Sequence, residues 1–288
     1  MTVEIVCVPY DSGHRSLRMG RGPEHLLRHG MARHPETAST GVHTVEAQGT
    51  FATEIGTSFA LYRQVSHRVR AIRTRGGFPL VLSGNCGTAL GTVAGCGGDT
   101  TGVLWFDAHG DFHTPETSTS GFLDGMALGA LMGRCWRGPT STIPNFAPVP
   151  EDHVVHIGGR DFDPPEVDAF AGSDIVRITE SQIHLRDIHA ALDGPLVALR
   201  KHVASVYIHV DLDVLDLRPA RANEYAPSGG LTIQELKGAI QMIGEHFEVR
   251  AAAVTAFDPE QDVAGRGTDA AHELAGALIR AAGRKGAP

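Results

Sequence analysis

No apolar run in this 288-residue chain approaches the ~20 residues of a membrane-spanning helix, so no such helix is expected. The first residues, MTVEIVCVPYDSG, lack the basic, apolar and small-residue zones of a secretory signal. They read instead as a strand, VEIVCV, running into a loop. Lysine and arginine form no cluster, and the net charge is −8 with a pI near 6.0. Both features argue against a nucleic-acid surface. Cysteine is scarce: Cys7, Cys86, Cys96 and Cys135 are scattered, with no pair at metal-clip or redox spacing. A reducing cytoplasm is the expected setting. Internal repeats, low-complexity tracts and linkers are missing too. With an ordinary 42% hydrophobic content, one domain over residues 1–288 is expected.

What is present alternates. Short apolar runs rich in β-branched residues recur: VEIVCV, FPLVLSG, TGVLWFD, HVVHIGG, DIVRI, SVYIHVD and RAAAVTAFD. Between most of them lie stretches of helical spacing, among them residues 54–76, 188–202 and 232–247. The last opens with Thr232 three residues before Glu235, the pattern of a capping box. Apolar strands alternating with amphipathic helices predict a three-layer α/β/α fold with a mainly parallel sheet. In such sheets ligands bind beyond the carboxyl ends of the strands.

Two strand ends carry acidic clusters. WFDAHGD supplies Asp107, His109 and Asp111, and HVDLDVLD supplies Asp211, Asp213 and Asp216. Residues two apart on a strand share a face, so each cluster can aim several ligands at one place. One such motif is often only a turn or a helix cap, whereas two at strand ends point to metal. Carboxylates mixed with one imidazole suit a hard or borderline divalent ion such as Mn²⁺. Two clusters suggest a pair of ions bridged by aspartates, able to turn a shared water into hydroxide near neutral pH.

At these residues the chain resembles the arginase, or ureohydrolase, family over nearly its whole length. MGRGPEHL is similar to the family's first Gly-Pro loop, DAHGD and HVDLDVLD to its two metal motifs, and PSGGLTIQEL to the segment after the second. The resemblance implies two Mn²⁺ ions and a bridging hydroxide that attacks a guanidinium carbon. Asp107 and Asp211 would bridge both metals, Asp111 would complete the first, and His109 and Asp213 the second. Asp111 would also hold the hydroxide as a catalytic residue. Asp216 is expected to be structural or to support a ligand. FHTPETSTSG resembles the loop that grips the α-carboxylate and α-amino group of the substrate, which places Ser118 and Ser120 on its hydroxyl-bearing positions and His113 at an Asn position. GGRDFDPPE resembles the segment whose acids hold the α-amino group, here Asp161 and Asp163. A true α-amino acid is therefore the expected partner, and family members often form homo-oligomers. Neither nucleic acid nor a membrane is expected as a partner.

Three positions depart from the family pattern. Cys86, in SGNCG, stands where the family's GGDHS-like segment places a metal-binding His. A thiolate is soft for Mn²⁺, so the first metal is expected to bind weakly, or Cys86 stays a buried thiol and that metal is partly vacant. Asp124 stands where a His shuttles protons, and an aspartate serves there only if burial raises its pKa. Ala256 stands where a Glu faces the guanidinium, with Glu260, Asp258 or Glu224 as possible substitutes. An N-hydroxylated guanidine is less basic and needs less of a counter-carboxylate. The departures thus point to Nω-hydroxy-L-arginine, cleaved to L-ornithine and hydroxyurea. The SGNCG segment is similar to that of family members that perform this reaction in antibiotic biosynthesis. The alternatives are an ordinary arginase or other guanidino-acid hydrolase, and a non-catalytic amino-acid-binding protein of the same fold.

Overall fold

The computed structural model describes residues 1–35, 37–48 and 53–284. Ten strands alternate with helices: β1 (Val3–Val8), β2 (Tyr10–Asp11), β3 (His14–Arg15), β4 (Gly41–Thr44), β5 (Phe78–Ser83), β6 (Gly102–Phe106), β7 (Val154–Gly159), β8 (Val176–Thr179), β9 (Ser205–Asp211) and β10 (Glu248–Thr255). β2 and β3 form a small antiparallel ribbon. The other eight form one sheet in the order β4-β1-β5-β10-β9-β6-β7-β8, parallel at every junction. Each apolar run noted in the sequence supplies one strand. The eighth, β4, pairs only with β1 at the sheet edge. Its sequence, GVHT, is short and half exposed, so no apolar run marked it.

Both faces of the sheet are covered, which is why the strands read as continuous apolar runs rather than as alternating ones. Within β6, Leu104 and Phe106 enter one core while Val103 and Trp105 enter the other. Helices Gly22–Arg28, Ile188–Arg200, Ile233–His246 and Arg266–Gly283 contribute to the first core, and helices Glu54–Thr74, Ala89–Cys96 and Ala127–Leu131 to the second. The three helical stretches predicted from spacing are thus found, each ending one or two residues earlier. Thr232 caps the helix it precedes: its hydroxyl accepts from the Glu235 amide while Glu235 reaches back to the Thr232 amide. No helix among the described residues is long and apolar enough to cross a membrane.

The same alternation aims the chemistry. Trp105 on β6 lies in register with His209 on β9, and the two rings stack with centroids 3.7 Å apart. Two residues further along come Asp107 and Asp211, just past Phe106 and Val210, the last residues that β6 and β9 pair with each other. Thr255, at the end of β10, is in register with Asp211. Strand ends of β6, β9 and β10 therefore converge side by side, and the turn after β5 brings Cys86 beside them. That turn lies close to the first loop of the chain: a Cβ at Gly84 would strike the Tyr10 carbonyl and the Gly20 amide. MGRGPEHL, similar in sequence to a loop, is a short 3-10 turn leading into the helix Gly22–Arg28.

Candidate metal centre and substrate cavity

Asp107, Asp111, Asp211 and Asp213 are all buried, none more than 7% exposed. Asp107 is held from two sides, its Oδ1 accepting from the His109 amide at 2.8 Å and its Oδ2 from Trp105 Nε1 at 3.0 Å. Asp213 accepts from the Ala108 amide and from Asn223 Nδ2, and Asp211 from the Asp213 amide at 2.8 Å. Arg160 donates to the carbonyls of Asp213, Pro227 and Ser228, which ties PSGG to the metal loop. Asp111 differs. Its backbone sits at φ 51, in the left-handed region, and its buried Oδ2 has no hydrogen-bond partner among the described residues. Asp216 pairs with Arg218, outside the cavity-lining set.

Crowding this many carboxylates out of water requires cations. Burial, reinforced by the neighbouring carboxylates, pushes Asp107, Asp111 and Asp211 above the ordinary aspartate range. Burial also presses on Asp213, but His109 beside it wins and holds the carboxyl at about 2. The His109 Nδ1 lies 3.2 Å from Asp213 Oδ2 and 3.6 Å from Asp107 Oδ1. Although burial acts to lower it, these two acids raise the imidazole far above its usual range. A positive ion at this place would relieve the same repulsion. Asp107, His109 and Asp213 offer ligand atoms all within 4.8 Å of one another. Hard oxygen donors, one imidazole and an orphaned carboxylate oxygen fit a divalent metal pair.

Cys86 enters this cluster from the side. Its thiol donates to Asp211 Oδ2 at 3.0 Å and lies 3.3 Å from Thr255 Oγ1. Burial and then the Asp211 charge push it well above the ordinary thiol range. Cys86, Asp107 and His209 form a second group of possible ligands within 4.8 Å. His209 was not among the residues singled out in the sequence, although its place two residues before Asp211 puts it on the same face. It is neutral, pushed down to about 3 by burial, and hydrogen-bonded to the Tyr207 hydroxyl at 2.8 Å.

Above the cluster opens a cavity of about 580 Å³. Cys86, His109, Asp111, Asp211 and Asp213 lie at its base, and Asp107 is sealed beneath them. His113, Ser118, Ser120, Asp124, Asp161 and Asp163 also line it, so every sequence-predicted site residue except Asp107 faces this cavity. Ser118 Oγ accepts from the Gly121 amide at 3.1 Å and Ser120 Oγ from the Phe122 amide at 3.2 Å, and the two hydroxyls lie 3.5 Å apart, one donating weakly to the other. His113 Nε2 is 3.1 Å from Asp163 Oδ2, and Glu166 closes behind it at 3.6 Å. Asp124 accepts from the Gly87 amide and from Asn85 Nδ2, both at 2.9 Å. Burial outweighs these bonds and raises its carboxyl to about 7.

Ala256 lines the cavity with a backbone φ of 58, its carbonyl accepting from Asn223 Nδ2 at 2.9 Å. Of the acids considered as substitutes for a carboxylate here, none lines the cavity. Glu260 pairs with Arg21, Glu224 lies 3.5 Å from Arg18, and Asp258 accepts from the Glu260 amide. Glu54, Glu166, Asn223 and Tyr225 are polar wall residues that the sequence reading does not single out, and Met19, Gly121, Phe122 and Gly125 complete the lining. Glu166 had one visible signal, its position three residues after Asp163 at a helix start.

Residues 1–280 match the family model described as Arginase family. The arginase of Bacillus caldovelox is 29% identical, with 96% of this chain and 97% of that protein covered. The arginase of Brevibacillus brevis is 32% identical over 69% of this chain and 67% of its own length. The crystal structure of arginase from Bacillus cereus superimposes with a TM-score of 0.86 at 28% identity, covering 97% of this chain and 98% of that one. This chain belongs to the arginase family, hydrolases that act on the C–N bonds of guanidino and amidine groups with a binuclear metal centre.

Proposed function

We propose that this protein hydrolyses Nω-hydroxy-L-arginine to L-ornithine and hydroxyurea, the whole chain 1–288 forming one catalytic domain, of which 36, 49–52 and 285–288 lie outside the described residues. The observation that carries this reading is the bare wall at Ala256. No acid from residues 256–260, nor Glu224, lines the cavity to balance a guanidinium cation. A hydroxyguanidine, whose oxygen withdraws electron density, is far less basic than a guanidine, depends less on a counter-carboxylate and so tolerates that wall. The missing side chain also leaves room for the added hydroxyl.

The amino-acid end is held by chemistry suited to a zwitterion. Ser118 and Ser120 donate hydroxyl protons to the α-carboxylate, while Asp161 and Asp163 face the α-ammonium and His113 braces Asp163. Asp107, Asp211, Asp111, Cys86, His109 and Asp213 would together hold two Mn²⁺ ions, Asp111 and Cys86 serving the first and His109 with Asp213 the second. The ions, when bound, make a water acidic enough to ionise near neutral pH and draw charge from the reacting carbon. Asp111 orients the attacking oxygen through its free Oδ2. Asp124, with a carboxyl near neutrality, is placed to hand a proton to the leaving δ-nitrogen, so that water is divided between hydroxyurea and ornithine. We further propose a cytoplasmic enzyme, with assembly into homo-oligomers an additional expectation.

The relatives favour a second reading, hydrolysis of unmodified L-arginine, because they are arginases. Turnover of the two substrates by the manganese-reconstituted protein, followed as ornithine release, decides between them. A preference for L-arginine would overturn the proposal. Silence on both with manganese bound would move the assignment to another guanidino acid or to amino-acid binding.

A further inference from the structure

Two imidazoles and a carboxylate converge at the end of the sheet opposite the cavity. Asp152 and His153 lie on the 3-10 turn Glu151–His153 that leads into β7. His202 lies between the helix Ile188–Arg200 and β9. His202 Nδ1 is 3.4 Å from Asp152 Oδ2, and His153 Nε2 is 3.9 Å from Asp152 Oδ1. One ligand atom from each residue lies within 4.8 Å of the other two. A tetrahedral divalent ion with arms of about 2.0–2.2 Å separates its donors by about 3.3–3.6 Å. The cluster is therefore close to the size it needs before any ion arrives.

The orientation of His153 is the second observation. Its Nδ1 lies 3.2 Å from the backbone carbonyl of Asp99. A carbonyl can only accept, so Nδ1 carries the proton and the neutral ring keeps its lone pair on Nε2. At 3.9 Å from Asp152 that nitrogen is too far to be spent on a hydrogen bond. A ring nitrogen donating to a carbonyl while its other nitrogen faces open donors is how proteins fix a metal-binding imidazole.

We infer that Asp152, His153 and His202 form a surface site for a borderline divalent ion, Zn²⁺ rather than Mn²⁺, with water in the fourth position. Two nitrogens and one oxygen suit zinc, whereas the oxygen-rich cluster in the cavity suits a harder ion. The two sites lie at opposite ends of the strands, roughly 15–20 Å apart at ~3.3 Å per residue. An ion here clips together the turn at Asp99, the entry to β7 and the entry to β9. It stabilises the folded state without touching the reaction.

The test is zinc titration of the manganese-loaded full chain, with metal content, melting temperature and turnover measured together. His202→Ala and Asp152→Asn serve as variants, since both side chains are more than two-fifths exposed and their loss leaves the core intact. The wild type is expected to take up one zinc equivalent more than either variant, keep its manganese, and melt higher with zinc. Turnover should be the same in all three. Equal zinc uptake and equal melting shifts in all three would overturn the inference, as would zinc entering the wild type only by displacing manganese.

Discussion

Replacing Ala256 by glutamate should turn the cavity from the weakly basic hydroxyguanidine toward the strongly basic, fully cationic guanidinium. The backbone there is already fixed, with φ 58 and its carbonyl held by Asn223. Alanine already carries a Cβ in that conformation, so the longer side chain adds little strain to the turn. Opposite unit charges about 4 Å apart attract by about 4 kcal/mol at an effective dielectric near 20. Burial of the new carboxylate and the nearby Asp211 and Asp213 oppose it, leaving the net ~1.5–3 kcal/mol typical of hydrogen bonds to charged groups. At about 1.4 kcal/mol per decade, the ratio of kcat/KM for L-arginine to that for Nω-hydroxy-L-arginine should rise about 10- to 100-fold. The assay is ornithine release from each substrate by wild type and A256E at equal manganese content. An unchanged ratio, with metal and fold intact, would refute the reasoning that the bare wall at 256 sets the substrate.

Three further perturbations probe other parts of the site. Cys86→His, which replaces a buried thiol bonded to Asp211 by a harder donor, should raise manganese affinity at the first position; an unchanged stoichiometry and affinity in equilibrium dialysis would remove residue 86 from the ligand set. Ser118→Ala and Ser120→Ala should each raise KM for the amino-acid substrate by about tenfold, as expected for a lost hydrogen bond to a charged group of ~1.5 kcal/mol. Equal losses on a decarboxylated analogue would show that these hydroxyls do not hold the carboxylate. His156 is buried, pushed down to about 4 chiefly by burial, and donates from Nε2 to the His109 carbonyl at 2.7 Å. Below its ordinary 6.5 the unfolded chain binds a proton that the folded one refuses, so stability falls as pH drops from 6.5 toward 4 and is unaffected above. At ~1.4 kcal/mol per pH unit, the loss is about 2 kcal/mol at pH 5. Denaturant titrations at pH 7 and pH 5 should show this slope in the wild type and not in His156→Gln.

The sequence alone determined the sheet, its parallel sense and the acidic clusters, because these depend on short-range patterns. Apolar runs of strand length are visible one by one. Short spacing alone keeps Asp107, His109 and Asp111 in one segment and Asp211 and Asp213 in another, although β6 ends at Phe106 and Asp213 lies on a 3-10 turn, so it is the loops rather than a strand period that aim them. The family resemblance extended this to Cys86, Ser118, Ser120 and Asp161, which the cavity does gather. Tertiary structure decided what lies between distant segments. Only the register of β6 with β9 stacks Trp105 on His209 and sets Asp107 beside Asp211. Glu54 and Tyr225 reach the wall from positions that no local pattern marks. Whether Glu224, Asp258 or Glu260 could replace a missing carboxylate was open in the sequence, where all three lie near the right segment. The fold turns Glu224 and Glu260 to arginines and tucks Asp258 into its own turn. The surface cluster of Asp152, His153 and His202 has the same origin, for its members come together only when the entries to two strands are packed side by side. Spacing along the chain reports which face a residue shares, but partners across the sheet are chosen by packing.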